Sequence, residues 1–291
     1  MARSCRRGNP VRSTLWPDRS FVVVMGTRGS DTGSLATDPL TPIRDTLRHM
    51  ANRRDIPSMQ GIAPDLTVTD LTGWVPATEL ASGDALDELL GAAQQRWRAA
   101  PHAAAALAWK CYSYWLSLPA VLGYATARRV PLLRPDGVVL QWSTTQPFLR
   151  LGLTTVEVAV LPSDPILVHG AHPGVRVVPH ENALLDEMRT SLMDEHLTPI
   201  LGHIRSRLHL GRRTLWGSLA SGVAHGLSRA ADVIPGPTLE IAEEVLSSLR
   251  IADLVDLGPR PDDAGITVQR KTCCLAFTLP EPKICSGCCI R

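Results

Sequence analysis

Several kinds of residue are scarce in this 291-residue chain. Aromatics make up only 4%, and of the 30 basic residues only Lys110, Lys271 and Lys283 are lysines. Cysteine is almost missing before residue 273, where only Cys5 and Cys111 occur. An excess of either charge is also missing: 30 basic against 28 acidic side chains leave a net charge of +2, so no global basic field is available to hold nucleic acid. No internal repeat is visible. No G-x-S-x-G, G-x-G-x-x-G or G-x-x-x-x-G-K-[ST] occurs, which argues against α/β-hydrolase, Rossmann and P-loop chemistry. What is present is ordinary for a globular protein, with 44% apolar and 20% charged residues, and this excludes wholesale disorder, collagen and coiled coil. The length allows one large domain or two modest ones, with core enough to fold without disulfides. The other 27 basic residues are arginines, planar forks suited to anions, though a compositional bias of the genome is the safer reading of them.

Residues 1–42 read as a disordered leader. Phe21–Met25 is too short for a signal-peptide core, and the Gly/Ser/Thr/Asp/Pro stretch from Gly26 to Pro42 makes Met25 an alternative start. The run Ala103–Ala127 is about long enough to span a membrane. Lys110 lies inside it, Pro119 is expected to break it, and three tyrosines dilute it. A buried amphipathic helix is the preferred reading, with peripheral membrane association as the alternative.

Residues 43–257 read as the body. Helical patterns cover Asp84–Trp97, with Ser82 or Asp84 as cap and Leu86, Leu89, Leu90 and Ala93 on one face, then 102–128, 182–210 with a division at Pro199, Arg213–Ala230, and Thr238–Leu249. Between them Val138–Trp142, Phe148–Leu151, Thr155–Leu161, Ile166–Val168 and Val175–Val178 read as short strands. The expected class is α+β: a mostly helical body with a small antiparallel sheet in the middle and a Cys-rich C-terminal tail over 258–291. The body's own apolar patterning predicts that it folds without the tail.

Five of the seven cysteines fall in the last 19 residues: Cys273, Cys274, Cys285, Cys288 and Cys289. A disulfide framework would spread its cysteines to staple distant loops. A terminal cluster points instead to metal ligation in a reducing compartment, so a cytoplasmic location is expected. The spacing C-C-x10-C-x2-C can supply four thiolates to a 2Fe–2S cluster or to zinc. Structural zinc usually draws on two C-x2-4-C knuckles, and an adjacent pair suits a larger group with several coordination positions better. Gly287 lets the chain turn tightly, and Arg270 and Lys271 would offset the thiolate charge.

This ending, with Leu275 after the pair and the chain stopping soon after Cys288, resembles the FhuF-like ferric siderophore reductases, bacterial 2Fe–2S proteins. The stretch Arg213-Thr214-Leu215-Trp216-Gly217-Ser218-Leu219-Ala220 is similar to the R-x-L-W-G-N-x-A of that family, with Ser218 in place of Asn. The resemblance implies a 2Fe–2S cofactor on Cys273, Cys274, Cys285 and Cys288, and reduction of Fe(III) in cytoplasmic siderophores. Cys289 departs from the family, which often has Pro there, and leaves Cys288 and Cys289 competing for the fourth position. Electrons would come from an external donor, a ferredoxin, flavoprotein or small reductant. Arg134, Arg150, Arg176, Arg212 and Arg213 are candidate contacts to an anionic ferric siderophore. The alternative is a non-redox siderophore-binding or iron-sensing protein with a zinc- or cluster-stabilised tail.

Other constellations carry less. His169, His172 and His180 read as loop histidines with backbone partners. Asp194-Glu195-His196 on a helix face different directions and form no triad. Cys111 reads as a buried thiol, and Trp109, Trp115 and Trp142 as core.

Overall fold

The computed structural model describes residues 38–53, 59–170, 172–260, 265–285 and 287–290. The chain enters through α1 (Thr41–Asn52), whose Ile43, Leu47 and Met50 recur at helical spacing and are buried. Leu40 just ahead of it is also fully buried, so the body begins before the 42/43 boundary read from composition. Residues 1–37 of the expected leader, with Cys5 and Met25, lie outside the described residues. Strands β1 (Ile62–Thr67) and β2 (Val75–Pro76) and the short helix α2 (Ala77–Ser82) follow. Helix α3 (Leu86–Trp97) buries Leu86, Leu89, Leu90 and Ala93, as its pattern requires. Neither expected cap is used: Ala85 holds the cap position, and Ser82 Oγ donates to Asp84.

Helix α4 (Pro101–Ala127) is the axis of the molecule. From Ala103 to Ala125 every residue is buried except the half-buried Lys110 and Cys111, so the helix is enclosed all round rather than along one stripe. Pro119 does not break it. The helix runs on through this buried proline, where packing on every side offsets the lost amide bond. No helix among the described residues is long and apolar enough to cross a membrane.

The chain then lays down β3 (Arg129–Pro131), β4 (Val138–Trp142), β5 (Leu149–Leu153), β6 (Val158–Val160) and β7 (Val175–Val177). The single antiparallel sheet expected here is instead two small mixed sheets, in the orders β1-β5-β4-β2 and β3-β6-β7. The pairs β1–β5 and β6–β7 are parallel and the others antiparallel. Ile166–Val168 is not a strand. It lies in a 3-10 turn, Pro165–His169, started by Asp164, whose carboxylate accepts from Ile166 N.

Helices α5 (Glu181–Arg189) and α6 (Thr198–Arg207) are joined without a gap by a π-helical stretch, Thr190–Leu197. The expected division at Pro199 is absent. Thr198 N already donates five residues back to Met193 O, so Pro199 enters in the first turn of α6, where its missing amide costs least. Helices α7 (Arg212–Arg229) and α8 (Thr238–Ser248) complete the body, and α4 and α7 form its most extensive helix pair. Strands β8 (Val255–Pro259) and β9 (Ile266–Arg270) pair as an antiparallel hairpin. The 257/258 boundary therefore falls inside β8, and the tail is stitched to the body rather than appended to it. The architecture is α+β, with the Cys-rich segment packed against the α4–α7 pair.

Candidate metal centre

Three anchors place the tail. The first is steric: Gly217 of α7 meets Thr272 so closely that a Cβ there would lie 1.9 Å from Thr272 Oγ1. The second is polar. Arg270 is only 3% exposed and donates from Nε to Thr272 O (3.2 Å) and from Nη2 to Ser218 Oγ (3.0 Å). The third is apolar: Cys274, Ala276 and Leu279 pack on Leu107 of α4. Helices α4 and α7 are themselves locked by Trp109, whose Nε1 donates to Leu215 O (2.8 Å) and whose ring meets Trp216 edge-on at 5.7 Å. The stretch Arg213–Ala220 is thus a docking surface, with Leu215 and Trp216 gripping α4 while Gly217 and Ser218 receive the tail.

The return limb lies along β9. Arg270 N donates to Gly287 O (2.9 Å) and Gln269 Nε2 to Cys288 O (2.9 Å). Cys288 N donates to Cys285 O (3.2 Å), closing the C-x2-C loop. Gly287 is needed for close approach rather than for its turn conformation: a Cβ would sit 2.2 Å from Val268 O.

None of the described cysteines is in a disulfide. Cys274 and Cys288 are buried, while Cys273, Cys285 and Cys289 are half-buried. Cys274 and Cys285 share a side-chain hydrogen bond. That bond holds Cys274 down to about 4, against its burial, with help from Lys110, Arg270 and the Ala276 amide. The same bond pushes Cys285 up. Cys273 is raised by burial and by its neighbours Cys274, Cys289 and Cys288, and Leu275 N opposes this by donating to its sulfur (3.3 Å). Leu275 takes a left-handed conformation (φ 62°) that bends the chain so that successive amides meet the sulfurs of Cys273 and Cys274.

The donor set fits a sulfur-rich group. The nearby metal-ligating side chains are thiols, and two buried donors beside them, Arg270 Nη1 and Thr272 Oγ1, have no partner among the described residues. Among the described residues, no group of three or more His, Cys, Asp or Glu side chains is arranged to hold a single metal ion.

Lys271 does not share in offsetting thiolate charge: its Nζ pairs with Asp256 (2.6 Å) on the exposed face of the hairpin. Lys110 acts on Cys274 and Cys285 in its place. Its only signal in the sequence is a lone charge within an apolar helix, far from the cysteines along the chain. The five candidate arginines do not form one site. Arg134 is engaged by Glu157 (2.6 Å) and Glu195 (2.8 Å), Arg176 by Glu187 (3.2 Å), and Arg213 by Asp253 (2.8 Å). Arg150 stands on β5 opposite Gln141, and Arg212 opens α7, the element that carries β9. A cleft of about 210 Å³ between α1 and β1, lined by Arg44, Met59 and Asp65 among others, includes none of the cysteines or candidate arginines.

His172 and His180 bond to backbone, while the side chain of His169 lies outside what is described. His180 Nδ1 accepts from Ala183 N at the start of α5, and His172 Nδ1 meets Pro173 O. Asp194, Glu195 and His196 turn to Arg189, Arg134 and Tyr112 respectively. Burial pushes the Cys111 thiol up to about 11. No protein-family model matches this sequence, and no curated protein matches it.

Proposed function

We propose that this chain is a ferric siderophore reductase, holding a 2Fe–2S group on Cys273, Cys274, Cys285 and Cys288. The observation that carries the reading is that Cys274 is bonded to Cys285 while Cys273 feels the charge of Cys274, Cys289 and Cys288, beside two buried donors without partners among the described residues. When bound, such a group supplies a one-electron carrier of low, adjustable potential.

The substrate chemistry asks little more. Siderophores bind Fe(III) through hard, anionic oxygens, and Fe(II) is held far less tightly, so one electron releases the metal. No general acid or nucleophile is required. The chain's own contribution is placement. Arg270 and Lys110 offset thiolate charge, and the Leu275 and Ala276 amides donate to sulfur. Phe277, Ile284 and Ile290, all on the segments that carry the cysteines, are large apolar side chains left exposed, which keeps this face open to a bulky complex and to an external electron donor. Free thiols require a reducing compartment, which makes the cytoplasm the location this reading needs.

The test is turnover. Anaerobically reduced protein is mixed with a ferric hydroxamate and an Fe(II)-trapping chelator. Stoichiometric trapping that is lost in Cys274→Ser supports the reading. Binding of the ferric complex without Fe(II) release would identify a binding or sensing protein instead.

A further inference from the structure

Five buried side-chain polar atoms lack a partner among the described residues: Arg96 Nε, Ser113 Oγ, Thr238 Oγ1, Arg270 Nη1 and Thr272 Oγ1. Two of them belong to one three-residue stretch, and that stretch leads directly into Cys273 and Cys274. Arg270 is the more informative. Its guanidinium cannot shed its charge, it is only 3% exposed, and most of its surroundings are already fixed. Nε is spent on Thr272 O, Nη2 on Ser218 Oγ, and the backbone amide on Gly287 O, which ties down the C-x2-C loop. Nη1 is the edge left over. A buried arginine without an anion is costly, and Arg270 lies close enough to Cys274 and Cys285 for its charge to act on both, with no bond from Nη1 to either sulfur.

The geometry points to Arg270 as the donor that tunes the sulfur-held group: Nη1–H bonds to its sulfur, and Ser218 of α7 is the positioning residue that holds the guanidinium there. This rests on the reading of the four cysteines given above. A donor and a positive charge at sulfur favour the state with one more electron, so they raise the reduction potential. The inference also gives a reason for a polar residue at the Ser218 position. A hydroxyl on the buried face of α7 is otherwise used only for a bond to Thr214 O within its own helix.

The experiment is a spectroelectrochemical titration of the full-length, iron-loaded chain, with iron and sulfide assayed on each sample. Arg270→Met removes both charge and donor and is expected to shift the midpoint potential furthest negative. Arg270→Lys keeps the charge without the fork and should shift it less. Ser218→Ala should shift it in the same direction by the smallest amount, at unchanged iron content. Lys271→Gln, adjacent but paired with Asp256 at the surface, should leave it in place. If Arg270→Met does not load or fold, Arg270→Lys and Ser218→Ala decide. A wild-type chain without iron and sulfide fails the functional reading and this inference with it. A loaded wild type whose potential is matched by the Arg270 and Ser218 variants overturns this inference alone.

Discussion

Gly217 and Thr272 approach so closely that one methyl group decides whether the tail can dock. A Cβ at 217 would overlap the Thr272 side chain at 1.9 Å, so Gly217→Ala should cost about 1–3 kcal/mol, read as a lower urea midpoint, and should reduce iron retention. Among the cysteines, Cys274→Ser should abolish the visible spectrum and Cys111→Ser should leave it unchanged; a wild-type spectrum in Cys274→Ser contradicts the assignment. Cys288 is buried and Cys289 half-buried, so Cys289→Ser should keep the iron that Cys288→Ser loses. His196 supplies a pH signature. It is fully buried between Tyr112 and Leu133 O, and burial lowers its imidazole from 6.5 to about 4. The unfolded chain takes up this proton near 6.5 while the folded chain resists it, so the contribution to stability is complete above 6.5 and is lost as the pH falls toward 4. Between pH 7 and pH 5 the loss should be about 2 kcal/mol, with His225 shifted in the same direction. Equal urea stability at the two pH values would contradict this.

At the scale of elements, the helices with a clear stripe were legible in the sequence, α3 within two residues and α7 within one. The sheets were less so. Parallel pairing joins β1 to β5 across a long stretch of chain, and β1, with Pro64 inside it, drew no strand reading. Proline was over-weighted, because Pro119 and Pro199 both sit inside continuous helix. Tertiary packing excuses the first and a π-helical stretch the second. The tail was read as separable, yet β9 completes the face of α7. Removing everything after Gly265 uncovers the sites of Ile266, Val268, Ala276 and Leu279, all buried. The truncated chain should bind a hydrophobic dye and aggregate, and a stable truncated body with unchanged helical circular dichroism would show the tail to be independent. Elsewhere Arg129 grips Asp164 through two bonds (2.8 and 2.7 Å) in a buried pair linking β3 to the Pro165 turn. Asp164→Asn should destabilise by about 3–5 kcal/mol in urea unfolding.

At the scale of the molecule, the candidate centre is assembled from three remote stretches: Leu107 and Lys110 on α4, Gly217 and Ser218 on α7, and the last twenty residues or so. The cysteine spacing was legible because it is local. Its companions were not, because no local pattern links Lys110 or Ser218 to cysteines so far along the chain. Within Arg213–Ala220, Gly217 and Ser218 receive the tail, a role that no local pattern announces. The central claim is that the four thiols hold a 2Fe–2S group, and the most direct measurement is the visible spectrum of anaerobically purified protein together with its iron, sulfide and zinc content. The account predicts a coloured protein with two iron and two acid-labile sulfide atoms per chain, as a 2Fe–2S group contains. A colourless protein carrying one zinc per chain, or no metal at all, would contradict it.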